Sequence, residues 1–290
     1  MTTLSLASGA AVELLVDGTS PDLLLYHHGT PAAGPTDPEL LRAAHAAGFR
    51  VAQVVRPGYG DSTRRLGRTV ADNAELSAAA ADLLGAETFV SLGWSGGGPH
   101  ALADAALLPG RCVGALSFAG VAPFDAAGLD FLNGMGQDNV EEFGAVLAGH
   151  DALSAFLLAA AEGLVDVRGA EVIEQMRSLL PPADQAFLSG EVADHFATEL
   201  RFSVANGIGG WFDDDVAFML PWGFDLGSIT VPTFVWQGAD DLMVPAAHGR
   251  WLGDNVAGTT ATVLDGHGHL SLAATSFDQC MAQLRGALNG

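Results

Sequence analysis

Val90-Ser91-Leu92-Gly93-Trp94-Ser95-Gly96-Gly97-Gly98-Pro99-His100 decides how the rest of the chain is read. An apolar, β-prone run ends in Gly-x-Ser-x-Gly and passes straight into an Ala/Leu-rich helical pattern, Ala101 to Leu108. A serine on so sharp a strand-to-helix turn is held in a strained backbone with its hydroxyl pushed out of the sheet. Gly93 and Gly97 are the residues that let neighbouring backbone pass close by. Ser95 is therefore the candidate nucleophile. With 37 glycines in 290 residues the bare pattern is easily met by chance, so its surroundings must decide.

Outward from that turn, strand and helix patterns alternate. Glu87 to Leu92 reads as the strand entering the turn and Gly97 to Leu108 as the helix leaving it. Before them, Asp22 to His27 is a continuous apolar run, the pattern of a strand covered on both faces. It leads into the loop His28-Gly29-Thr30-Pro31-Ala32-Ala33-Gly34. Pro38 to Gly48 reads as a helix stopped by its glycine, and Phe49 to Val55 as a strand ending in Arg56-Pro57-Gly58-Tyr59-Gly60-Asp61-Ser62. Thr69 to Leu84 reads as a long Ala-rich helix capped by Thr69 or Asp72. Residues 4 to 16 suggest two short strands around a turn at Ser8-Gly9-Ala10, and Arg111 to Phe118 a further strand.

The alternation predicts an α/β fold, a mostly parallel sheet wound on both faces. It breaks near Val121. From there to Ser228 the patterns are helical (Val140 to Leu147, Ala152 to Leu164, Ala170 to Leu180, Glu191 to Val204), and strands return at Val231 to Trp236 and Thr260 to Leu264. A helix near Ala246 to Asn255 and a closing helix from Leu270 to Leu288 complete the chain. The expected organisation is a core of residues 1–120 and 229–290 with a helical cap, 121–228, over the C-terminal ends of the strands.

A serine hydroxyl needs a base to take its proton and a third group to orient that base. The order expected with such a turn is Ser, then Asp or Glu, then His. Strand Thr233 to Trp236 ends in Gln237-Gly238-Ala239-Asp240-Asp241-Leu242-Met243-Val244-Pro245, and strand Thr260 to Leu264 in Asp265-Gly266-His267-Gly268-His269-Leu270. Both loops lie on the sheet edge that carries Ser95. An Asp265, His267 and His269 metal site is the competing reading, but no second histidine cluster with ligand spacing accompanies it, so no metal is expected.

Taken together, these stretches resemble the α/β-hydrolase family with an inserted helical cap. The resemblance rests on His27-His28-Gly29-Thr30-Pro31, Arg56 to Ser62, Gly93-Trp94-Ser95-Gly96-Gly97, Gly238 to Pro245 and Gly268-His269, and it spans nearly the whole chain. It implies Asp241 rather than Asp240 as the acid and His269 rather than His267 as the base. It also implies an oxyanion hole from the backbone N–H groups of Gly96 and Thr30. Arg56 to Ser62 is read as structural, with Asp61 holding the loop. His100 and His195 are read as helix residues without catalytic duty. His28, Trp94, Trp211 and Trp222 are candidate pocket residues, with core packing the alternative for the tryptophans.

Composition bounds the function. A net charge of −22 with no lysine, all twelve cations being arginine, argues against nucleic acid and anionic membranes as partners and excludes a lysine Schiff base. Cys112 and Cys280 read as inert core residues. Met1 to Ser5 shows no basic region followed by an apolar core, so a cytoplasmic protein without a signal peptide is expected.

The expected activity is hydrolysis of a small-molecule carboxylic ester through an acyl-enzyme, without a cofactor. Dehalogenase and epoxide-hydrolase relatives use aspartate where Ser95 stands, and epoxide opening uses cap tyrosines, whereas Tyr26 and Tyr59 both lie outside the expected cap. An aminopeptidase of the proline-iminopeptidase type, a cofactor-free perhydrolase and a C–C hydrolase remain alternatives. So does a non-catalytic receptor on the same fold.

Overall fold

Leu23, Leu24 and Leu25 are all fully buried, because successive side chains of a strand point to opposite faces and here both faces are covered. The computed structural model describes residues 2–6 and 9–289; Ser8 of the expected first turn lies outside them. In chain order the first part comprises β1 (Thr2–Ser5), β2 (Ala11–Asp17), β3 (Leu23–His27), α1 (Pro38–Ala46), β4 (Arg50–Val54) and α2 (Asn73–Leu83). It continues with β5 (Phe89–Trp94), α3 (Gly98–Leu107) and β6 (Cys112–Phe118).

Helices alone follow: α4 (Gln137–Ala148), α5 (His150–Leu164), α6 (Gly169–Gln175), α7 (Pro182–Phe187), α8 (Gly190–Val204) and α9 (Gly209–Met219). The chain then re-enters the sheet with β7 (Thr233–Gly238), α10 (Ala246–Asn255), β8 (Thr259–Leu264) and α11 (Ala273–Asn289).

The eight strands form one sheet in the order β1-β2-β4-β3-β5-β6-β7-β8. β1 and β2 pair antiparallel at one edge; β4, β3, β5, β6, β7 and β8 run parallel. Leu24, Tyr26, Leu92 and Phe118 pack with Leu40 of α1 and Phe277 and Met281 of α11 on one face. Leu25, Val54 and Phe89 pack with Leu76 of α2, Leu102 of α3 and Leu252 of α10 on the other. Cys112 and Cys280 are buried and unpaired by disulfide. Among the described residues no helix is long and apolar enough to cross a membrane.

Local capping explains where some helices begin. Asp37 Oδ1 accepts from the N–H groups of Glu39 and Leu40 (2.8 and 3.0 Å) and starts α1, a contribution of about 1 kcal/mol. α2 begins at Asn73 rather than Thr69, because the Asp72 carboxylate turns back to the N–H and hydroxyl of Thr69 (2.7 and 3.1 Å). α9 was not evident in the sequence. Asp213, Asp214 and Asp215 interrupt its apolar pattern, yet all three are buried.

Candidate active site

The turn after β5 is strained at the serine. Ser95 has φ 56°, one of two described non-glycine residues with positive φ, a conformation costing about 1–3 kcal/mol. The glycines around it are required by backbone, not by flexible side chains. A Cβ on Gly93 would fall 2.0 Å from the Gly97 carbonyl oxygen, and one on Gly97 would fall 2.0 Å from that of His27.

Asp241 follows β7 and His269 follows β8, each just beyond its strand. Asp241 Oδ2 accepts from His269 Nδ1 at 2.8 Å and from Gln237 Nε2 at 2.9 Å, while Oδ1 accepts from the N–H groups of Met243 and Val244, both at 2.8 Å. Burial raises the Asp241 carboxyl above the usual range, against the opposing pull of His269 and the backbone donors. Burial disfavours a charged His269, but the carboxylates of Asp241 and Asp184 outweigh it and hold the imidazole above the ordinary histidine value. Nδ1 is committed to Asp241, which leaves Nε2 for proton transfer. Asp240 is exposed, and its N–H donates to the His267 carbonyl, whose own Nδ1 bonds the Ser271 carbonyl.

The carboxylate of Asp184 reaches the histidine loop from α7. Oδ2 accepts from His269 N–H (2.8 Å), and Oδ1 accepts from Ser271 N–H (2.8 Å) and its hydroxyl (2.6 Å). Asp184 is fully buried. No pattern near residue 184 announces this role, since the partner lies 85 residues away.

A second carboxylate from the helical insertion holds the Thr30 loop. Asp214 of α9 accepts from Thr30 Oγ1 (2.7 Å), Tyr59 OH (2.9 Å), Arg56 Nη2 (2.6 Å) and Arg68 Nη2 (2.6 Å). Arg56 also donates to the carbonyls of His28 and Gly29 (2.5 and 2.9 Å). Burial alone would raise the Asp214 carboxyl, but the two guanidinium groups hold it well below the usual range. The loop after β4 is thus tied to the site through Arg56. It is fixed by Ser62, whose hydroxyl donates to the Val55 carbonyl (2.7 Å), and by Glu13, which accepts from Asp61 N–H (3.1 Å); the Asp61 side chain is exposed. That corrects the assignment of loop-holding to the Asp61 carboxylate.

Ser95 and Thr30 stand in the walls of two adjoining cavities. The larger, about 380 Å3, is also lined by Gly96, Phe143, Trp211 and Phe218. The smaller, about 70 Å3, is lined by Trp94, His269, Phe196 and Glu199. The structure thus brings Ser95, Thr30 and Gly96 together at one cavity, and Ser95 and His269 at the other.

Trp94 lines the smaller cavity and packs edge-on against Phe118 and Phe277, with ring centroids 5.3 and 5.6 Å apart. Trp211 lines the larger and donates from Nε1 to Glu142 at 2.6 Å. Burial raises the Glu142 and Asp215 carboxyls, and their mutual repulsion raises Asp215 further.

Two expected pocket residues lie elsewhere. His28 is fully buried beneath the loop, bonding the Gly29 carbonyl through Nδ1 (2.7 Å) and accepting from Arg56 N–H at Nε2 (3.1 Å). Burial and Arg56 push its imidazole well below the usual value, so it is a neutral brace for the loop. Trp222 lies beyond α9, where its carbonyl accepts from Ala71 N–H (2.9 Å) and its ring meets Phe224, away from both cavities. His100 and His195 lie on α3 and α8 as expected.

Comparisons with known proteins agree with this architecture. An alpha/beta hydrolase fold protein from Nakamurella multipartita is 26% identical, covering 98% of each chain, with a TM-score of 0.65. A hydrolase from Pseudomonas aeruginosa PA01 is 22% identical over 100% of this chain and 98% of its own, with a TM-score of 0.71. An esterase from Rhodococcus sp. ECU1013 is 20% identical over 99% of this chain and 98% of its own, with a TM-score of 0.67. No curated protein matches the sequence. The family model for the alpha/beta hydrolase fold matches residues 22–273, from the start of β3 to the start of α11, and so takes in every loop described above. With that match and the doubly wound sheet in hand, the chain belongs to the alpha/beta hydrolase fold family.

Proposed function

We propose that the protein hydrolyses a small carboxylic ester through an acyl-enzyme, with Ser95 as nucleophile, His269 as base and then acid, and Asp241 orienting the imidazole. The observation that carries this reading is the strained Ser95, φ 56°, in the wall of a cavity shared with His269, itself 2.8 Å from Asp241. Ser95 Oγ attacks the acyl carbonyl as its proton passes to His269 Nε2. The backbone N–H groups of Gly96 and Thr30 receive the oxyanion, helped by the helix that starts there. The alcohol leaves with the proton from His269, and water deprotonated by the same imidazole releases the acid. Residues 121–228 act as a cap that supplies most of the larger cavity's apolar wall and so selects the acyl group.

Turnover of a short-chain aryl ester and labelling by a fluorophosphonate probe test the reading on wild type and Ser95→Ala. Labelled, active wild type and an unlabelled variant slower by about 10^4-fold or more are expected. Retained activity in the variant rejects Ser95 as nucleophile; a folded wild type that neither labels nor turns over favours a ligand receptor.

One observation favours a second reading, cleavage of an aminoacyl bond. Glu142 and Asp215 stand in the wall of the larger cavity, where a substrate ammonium would meet them. Faster turnover of aminoacyl arylamides than of matched aryl esters would select it.

A further inference from the structure

The smaller cavity differs from the larger in the atoms it offers beside the histidine. His269 lines the smaller cavity and not the larger, whereas Gly96 lines the larger and not the smaller. In ester hydrolysis the leaving oxygen takes its proton from the imidazole, so the alcohol portion sits on the His269 side and the acyl portion on the other. This assignment rests on the ester-hydrolase reading above. The smaller cavity, about 70 Å3, has room for roughly five water-sized groups.

Its walls have the chemistry of a cation site. Glu199 of α8 is 8% exposed and lines the cavity, and its carboxylate accepts no hydrogen bond among the described residues. His195 also lines the cavity; its Nε2 lies 3.9 Å from Glu199 Oε1, an ion-pair distance only when the ring is protonated, and has no hydrogen-bond partner among the described residues. Asp37, whose Oδ1 caps α1, adds a second carboxylate, and Trp94, Phe187 and Phe196 add aromatic rings of the kind that attract a cation. No arginine lines this cavity. Burial and the nearby Asp37 push the Glu199 carboxyl well above its usual range.

We propose that the smaller cavity is a leaving-group subsite for a short alcohol bearing a protonated amine, held by Glu199 with Asp37 and Trp94. The scissile C–O bond breaks, His269 returns its proton to the alkoxide oxygen, and the released product is a free amino alcohol. The acyl group stays on Ser95 until water removes it.

A matched pair tests this: the 2-(dimethylamino)ethyl and 3-methylbutyl esters of one acid, nearly equal in shape and differing in charge. Wild type should show kcat/KM at least tenfold higher for the cationic ester, and Glu199→Gln should lower that ratio at least tenfold. Equal kcat/KM values in wild type overturn the proposal, as does a ratio that Glu199→Gln leaves in place; neither result depends on how far the variant lowers both rates. Equilibrium binding of 2-(dimethylamino)ethanol, compared with 3-methylbutanol, reads the subsite without turnover. If neither ester is hydrolysed, the ester reading fails, while a tenfold binding preference for the amine still supports the subsite and its absence rejects it.

Discussion

The backbone around Ser95 is fixed from within the sheet: the carbonyl of His27 lies so near Gly97, and that of Gly97 so near Gly93, that neither position has room for a Cβ. The loops carrying His269 and Thr30 are fixed from outside it, by Asp184 of α7 on the backbone and by Asp214 of α9 on the Thr30 hydroxyl. One part of the site is therefore built by steric exclusion over a few neighbouring residues. The other is built by two buried carboxylates that arrive from a helical insertion. Ser95 belongs to the sheet and its own turn, but the His269 and Thr30 loops depend on contacts from the helices between β6 and β7.

The largest effect should come from breaking the steric half. Gly97→Ala places a methyl 2.0 Å from a backbone oxygen that has no rotamer to escape into. A loss of at least about 4 kcal/mol in denaturant unfolding, or failure to fold, is expected. Gly144→Ala, on α4 with nothing near its would-be Cβ, is the control and should gain up to about 1 kcal/mol. A Gly97→Ala protein as stable as wild type would contradict this account of the turn.

Asp214→Ala is next. It leaves Arg56 and Arg68 buried without their carboxylate, a loss of about 3–5 kcal/mol in the same unfolding measurement, together with a fall in kcat. An unchanged midpoint would mean the two guanidinium groups find other partners.

Asp184→Ala should act on catalysis more than on folding. Without its three hydrogen bonds the His269 loop loses its support, and kcat should fall by roughly 10- to 100-fold with KM little changed. A simple packing defect would not shift the pH profile. Asp184 contributes to raising the His269 value, so removing its charge should move the acidic limb of kcat/KM to lower pH.

The smallest effect is the wild-type profile itself. On the proposed reading His269 works neutral and is held above the ordinary histidine value, so activity should fall as pH drops through an inflection above that ordinary value. An inflection well below that value would mean that burial, not the two carboxylates, dominates at His269.

The same division explains how much could be read from the chain. The strands, the serine turn and the loops carrying Asp241 and His269 are written in short contiguous patterns, because strand periodicity and glycine placement are local facts. α9 is not, because nothing near its three consecutive aspartates shows what they pair with. Those partners, Arg56, Arg64, Arg68 and Tyr59, lie about 150 residues earlier, and no periodicity connects them. Arg56 gave the one available hint: a cation inside a Gly/Pro-shaped loop, in a chain with only twelve. His28 lines neither cavity for a related reason, since residue type alone does not distinguish an imidazole bracing a loop from one facing a ligand, and Trp222 takes the core-packing alternative.

Asp184 also makes the seating of the insertion an interlock. Were α7 displaced beyond hydrogen-bond reach, the segment that carries His269 would lose three bonds, while the Ser95 turn would keep all of its own. The placing of one short helix, remote in sequence, thus bears on the order of the histidine loop and not on that of the serine turn.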